Sequence, residues 1–323
     1  MDLDLPAAPA SPVSADGTIA FGTYRGHTGP IDWAPARRTR GRRSGGWKRW
    51  HYVSVAGPEV VLAVAVIDLG WAASAFAYVF DRRQGRLVAD TSAIGLPYRS
   101  AHVAGEPAAD ATTTFRAPGV RIRLARVGMS WQLTTAMGGL SIDAALDEMP
   151  GPQTVCVVAP VPGGVADCTH KTTCLRLEGR ASAGGSDYDL AGHWGTIDHT
   201  SGLLARRTAW RWASACGDGL ALNLTEGFTA PAENVVWIGG RVEPVGPVRF
   251  AFDPGNPVAP WNITGDRGDV DLEFTPEGRR QENRNLVLAV SRYVQPIGTF
   301  RGRIGAAVVE GLVGVTEDHT ARW

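Results

Sequence analysis

The stretch Gly192-His193-Trp194-Gly195-Thr196-Ile197-Asp198-His199-Thr200-Ser201-Gly202, continued by Leu203-Leu204-Ala205-Arg206-Arg207-Thr208-Ala209-Trp210-Arg211-Trp212, decides the fold. It holds three of the chain's eleven tryptophans and shows no helical stripe. Its residues read instead as two strands with a turn at Ser201-Gly202. In a strand, neighbouring side chains point to opposite faces. Trp210 and Trp212 therefore share one face, and Arg207 and Arg211 share the other. The same parity separates Asp198 from His199, so only one of them can look into a given cavity. His193 lies on the same face as His199.

Working outward, short alternating segments bounded by glycine and proline recur along the whole chain. Val120-Arg121-Ile122-Arg123-Leu124 and Leu140-Ser141-Ile142-Asp143-Ala144 precede the stretch, and Val248-Arg249-Phe250 and Val270-Asp271-Leu272-Glu273-Phe274 follow it. The pattern is all-β. At 323 residues the chain has length for two domains. The reading is an all-β protein of two consecutive lipocalin-like antiparallel β-barrels. Residues 1–20 form a flexible lead-in, 21–185 the first barrel and 186–323 the second. Val60 to Phe80 has the length of a membrane span, but Asp68 would sit near mid-bilayer. Gly70-Trp71 splits it into two strand-length halves, so no transmembrane segment is expected.

Composition narrows the function. Lysine plus arginine equals aspartate plus glutamate, so no net field draws the chain to nucleic acid. The amino terminus carries acids and prolines and lacks the apolar core of a secretory signal, which points to the cytoplasm. Cys156, Cys168, Cys174 and Cys216 show no CxxC spacing. Cys168, His170 and Cys174 form a conceivable set of soft ligands, but free buried thiols are the expectation, with no metal and no cofactor. There is no P-loop, Rossmann fingerprint, HExxH or GxSxG elbow. The Arg37–Arg49 run reads as a solvated loop, and oligomeric state is left open.

The candidate catalytic residues are Asp198 and His199. A carboxylate or imidazole facing an apolar cavity is a general acid or base, because desolvation moves its pKa toward neutrality. An Asp198 that caps the following turn, and a His199 buried in the core, are the structural alternatives. Candidate ligand contacts are His193, Trp194, Trp210, Trp212, Glu233, Asn234 and Tyr52. The segment Glu317-Asp318-His319 reads as a solvated edge.

The chain resembles the bacterial family of unknown function DUF2804. The resemblance rests on Trp47-Lys48-Arg49-Trp50-His51-Tyr52, Asp68-Leu69-Gly70, Thr169-His170-Lys171, Asp198-His199-Thr200-Ser201-Gly202, Arg207-Thr208-Ala209-Trp210-Arg211-Trp212, Asn223-Leu224 and Glu233-Asn234. More distantly, Asp198-His199 and the Trp-x-Trp of 210–212 are similar to the pattern of the carotenoid 1,2-hydratase and AttH-like proteins. Ser201 stands where that motif has a tryptophan. This resemblance implies tandem lipocalin-like barrels that handle a hydrophobic small molecule such as an isoprenoid, lipid or polyketide. It implies either cofactor-free hydratase, isomerase or cyclase chemistry or, as the alternative, a carrier without catalysis.

Overall fold

A computed structural model describes residues 5–40, 46–108, 110–148, 154–285 and 290–322. The strands fall into two antiparallel sheets. The first sheet runs, in spatial order, through Arg86–Gly95, Ala73–Asp81, Val60–Asp68, Gly46–Ala56, Trp194–Leu204, Ala166–Ala183, Leu140–Asp147, Ser130–Met137, Val120–Val127, Thr112–Ala117 and Ala101–His102. It curls into a nearly closed barrel. The second sheet runs through Arg241–Pro244, Val235–Ile238, Leu220–Gly227, Arg207–Gly217, Ala307–Arg322, Val290–Ile304, Val270–Asn285, Trp261–Gly265 and Val248–Ala251, and forms a half-barrel.

Burial explains why the strands differ in pattern. Val120–Val127 has water on one face and alternates apolar with arginine. Val60–Asp68 (VVLAVAVID) is apolar almost throughout, because it is covered on both faces. One face joins the barrel core with Val53, Trp131 and Ile197. The other packs, with Tyr52, Tyr78 and Phe80, against Trp212, Ile297 and Val315 of the second sheet. The segment 60–80 is thus a hairpin of Val60–Asp68 with Ala73–Asp81. No helix among the described residues is long and apolar enough to cross a membrane.

The two sheets are also tied by ion pairs. Arg82 donates to both carboxylate oxygens of Glu277, at 2.8 and 2.6 Å. Arg280, 1% exposed, reaches Asp90 at 2.8 Å and Ser92 at 2.9 Å across the gap.

Three expectations change. Ser201-Gly202 is not a turn: Trp194–Leu204 continues through it, and the chain crosses from the first sheet to the second at Ala205-Arg206. The boundary expected near residue 185 therefore lies inside the first sheet. Gly202 has another use. It stands opposite Asp167 in register, and a Cβ there would come within 2.4 Å of the Asp167 carboxylate. Residues 5–20, expected to be flexible, lie against the barrel with Val13 and Ile19 buried in a cluster with Trp33, Cys156 and Leu203. Residues 1–4 of that lead-in fall outside the described residues.

Candidate functional site

Trp194–Leu204 sits between Gly46–Ala56 and Ala166–Ala183, and its two faces line two compartments. Ile197, His199, Ser201 and Leu203 point into the first barrel; Asp198 and Thr200 point toward the second sheet. Register aligns Lys171, Asp198 and Tyr52 on the latter face, and His170, His199 and His51 on the former.

On the side facing the second sheet, a cavity of about 210 Å³ opens between the sheets. The first sheet contributes Trp50, Tyr52, Asp167, Thr169, Lys171, Asp198 and Thr200, and the second contributes Trp210, Trp212, Arg280, Tyr293 and Glu317. Leu69, Trp71 and Ile94 form part of its rim, with Trp71 44% and Ile94 52% exposed. Trp50 stacks on Trp210 at 6.2 Å, and Tyr52 meets Trp212 edge-on at 5.7 Å. These rings make a flat apolar slot.

Charged groups lie at one end. Lys171 donates to Asp198 at 2.6 Å and lies 3.3 Å from Glu233. Asp198 also accepts from the hydroxyls of Thr169 and Thr200, each at 3.1 Å. Burial works against the Lys171 ammonium, but the carboxylates of Asp198 and Glu233 outweigh it and hold its pKa above the ordinary lysine value. Asp167 has no hydrogen-bond partner on either oxygen. Burial, and then the nearby charge of Glu233, push its pKa well above the usual carboxylate range. Both effects favour its protonated form.

Glu317 occupies the opposite wall. Burial raises its pKa to about 7, against the lowering effect of its hydrogen bonds from Trp210 and Gln295. Those bonds measure 2.8 and 2.9 Å. Tyr78 in turn donates to Gln295 at 2.6 Å, so a buried relay leads from the first sheet to the Glu317 carboxyl. His319, its pKa lowered to about 3 by burial, stays neutral and packs edge-on against Trp210 at 4.4 Å.

Of the residues singled out from sequence, Asp198, Tyr52, Trp210, Trp212 and Glu233 line this cavity. The others lie elsewhere. His199 is inside the first barrel, donating through Nε2 to the carbonyl of Ala104 at 2.8 Å. His193 packs against Gly57, where a Cβ would come within 2.1 Å of its ring. Trp194 lines a separate cleft with Arg82 and Val313. Asn234 accepts from the Thr225 amide at 2.7 Å and donates to the Gly246 carbonyl at 3.1 Å, so it holds the loop that carries Glu233. Sequence reasoning missed Glu317, Lys171, Asp167 and Arg280. The first three alternate with apolar or β-branched residues inside strands, Asp167-Cys-Thr-His-Lys171 and Val315-Thr-Glu317, and that period was the available signal.

A tandem arrangement of barrel and half-barrel, with a charged and aromatic cavity between them, defines a class of two-sheet antiparallel β-proteins. Within it, the chain belongs to the DUF2804 family, described as a domain of unknown function, whose model matches residues 7–323. The structure is similar to that of a Nitrosomonas europaea protein provisionally named AttH, at 13% identity and TM-score 0.59, covering 85% of this chain and 92% of that one. It is also similar to kievitone hydratase from Nectria haematococca, at 11% identity and TM-score 0.54, covering 87% and 89%. At these identities the likeness is one of fold. No curated protein matches the sequence.

Proposed function

We propose that the inter-sheet cavity binds an apolar small molecule and moves a proton on it, as a hydratase, isomerase or cyclase does without a cofactor. The carrying observation is Glu317, a buried carboxyl with a pKa of about 7 on the wall of an aromatic slot. Such a group is present in both protonation states near neutrality and exchanges a proton in either direction at little cost. Across the slot, the Lys171 ammonium stabilises negative charge that develops on a substrate oxygen. Trp50, Trp210 and Trp212 hold the apolar part, and indole faces also stabilise a developing cation. A void of about 150 Å³ accepts benzene, so this cavity takes a ring or a segment of a longer chain rather than a whole carotenoid. The fold shared with a named hydratase agrees with this reading.

In this scheme Asp198 holds Lys171 in place, and His199 takes no part. Native mass spectrometry of the protein after exposure to a cell lipid extract tests the binding. A species retained by wild type and by Glu317→Gln, but lost in Trp210→Ala, is expected. In D2O, wild type transfers deuterium to that species and Glu317→Gln does not. A retained species that never acquires deuterium returns the carrier reading; no retained species removes both.

A further inference from the structure

Two cysteines and two histidines that the cavity does not use meet in a second cluster beneath the N-terminal segment. Cys156 stands opposite His170 in register, and Cys168 lies two residues before His170 on the same strand. All three therefore share one face. The two sulfurs and a ring nitrogen of His170 lie within 4.8 Å of one another. Val13, Ile19, Ile31 and Trp33 cover the cysteines. Cys174, which the sequence suggested as a partner, is not among them; it lies instead near Gly217, 3.9 Å from its carbonyl.

These groups are poorly satisfied as they stand. His170 is fully buried; its Nε2 accepts only the Thr28 amide, at 3.2 Å, and its Nδ1 has no partner. An orphaned ring nitrogen in an apolar enclosure costs free energy. His27 stacks on His170 at 5.6 Å, and its Nδ1 is likewise without a partner.

The geometry points to a binding site for a thiophilic divalent cation, Zn2+, held by Cys156, Cys168 and His170, with His27 beside it for the fourth position. Zinc takes thiolate sulfur at about 2.3 Å and imidazole nitrogen at about 2.0 Å in a tetrahedron, which sets the ligand atoms about 3.5–3.8 Å apart. The three donors need to draw in by roughly an ångström. Binding releases both thiol protons to solvent, and two thiolates then balance the 2+ charge. That neutrality matters beneath an apolar cover; the charged group nearest the proposed ligands is Arg126, whose guanidinium lies 3.4 Å from Nε2 of His27 and leaves Nδ1 as the free ring nitrogen. No carboxylate or carbonyl belongs to the set, which disfavours Mg2+ and Ca2+. Because His27 and Thr28 belong to the N-terminal segment, the cation clips that segment to the barrel.

The test is uptake of Zn2+ by the reduced full chain, followed by mass spectrometry of the metal content, with Co2+ as the absorbing probe. One equivalent per chain is expected, with sulfur-to-cobalt charge-transfer absorption, and loss of both in Cys156→Ser/Cys168→Ser. Cys174→Ser/Cys216→Ser keeps the equivalent. Should the first variant not fold, the wild-type melting temperature with and without a chelator decides: a fall on chelation supports the site, and no change overturns it. Failure of the folded wild type to bind either ion, or a Cys156–Cys168 disulfide in the purified protein, also overturns it.

Discussion

Asp198 and His199 are neighbours in the chain, yet their surroundings follow opposite electrostatics. The His199 face looks into a barrel interior where His51, His170 and His199 lie in a row across three strands, with ring centroids 5.1 and 5.9 Å apart. Burial lowers the pKa of all three, and that of His199 to about 4. The Asp198 face looks into a compartment of nearly equal burial that holds four buried carboxyls, Asp167, Asp198, Glu233 and Glu317, and a lysine. The difference lies in the partners. Bases surrounded by other bases and apolar groups surrender their protons, whereas Lys171, placed against Asp198 and Glu233, keeps its charge at similar depth. Depth alone does not set protonation.

The comparison can be broken by removing the cation. Lys171→Met leaves Asp198 and Glu233 without their counter-ion and is expected to cost about 3–5 kcal/mol, read from urea unfolding at pH 7. Loss of less than 1 kcal/mol would mean that the pair is held by the threonines alone.

Acid probes the other face. The unfolded chain takes up a proton on His199 near pH 6.5, the folded one only near 4, so stability present above pH 6.5 is lost as the pH falls toward 4. The loss amounts to about 3 kcal/mol from this residue. His199→Gln should lower the acid unfolding midpoint.

Glu317 has the reverse sign. Its folded pKa of about 7 lies above the ordinary 4.5, so ionising it in place costs stability as the pH rises through that interval. Glu317→Gln is expected to be more stable than wild type at pH 8, by up to about 3 kcal/mol. Equal melting temperatures at pH 8 would place the carboxyl in contact with water. Gly202→Ala, which crowds Asp167, should cost about 1–3 kcal/mol. Trp194→Ala should leave ligand retention in the cavity unchanged, since its ring lines the other cleft.

Period-two alternation made the all-β class and the separation of Asp198 from His199 readable before any coordinates. It also put Trp210 and Trp212 on a common face, the face that lines the cavity. What it could not supply is which sheets stack. Glu317 read as a solvated edge because nothing local to Val315-Thr-Glu317 reveals that the last strand lies beside Arg207–Gly217 and across from Tyr78. Ser201-Gly202 was mistaken for a turn because glycine signals both a bend and an absent side chain, and here the absence is what counts. His193 and Trp194 share the motif but sit at the strand's start, beyond the reach of the cavity.

One strand serves as the partition between the two compartments, and this sets the kinds of change the protein can tolerate over generations. A substitution at Ile197 or His199 alters the barrel interior and leaves the cavity alone; one at Asp198 or Thr200 does the reverse. The insertion or loss of a single residue exchanges the two sets, sending Asp198 among the histidines and His199 among the carboxylates. Variation on each side is therefore free to drift independently by replacement, while the length of this segment is locked.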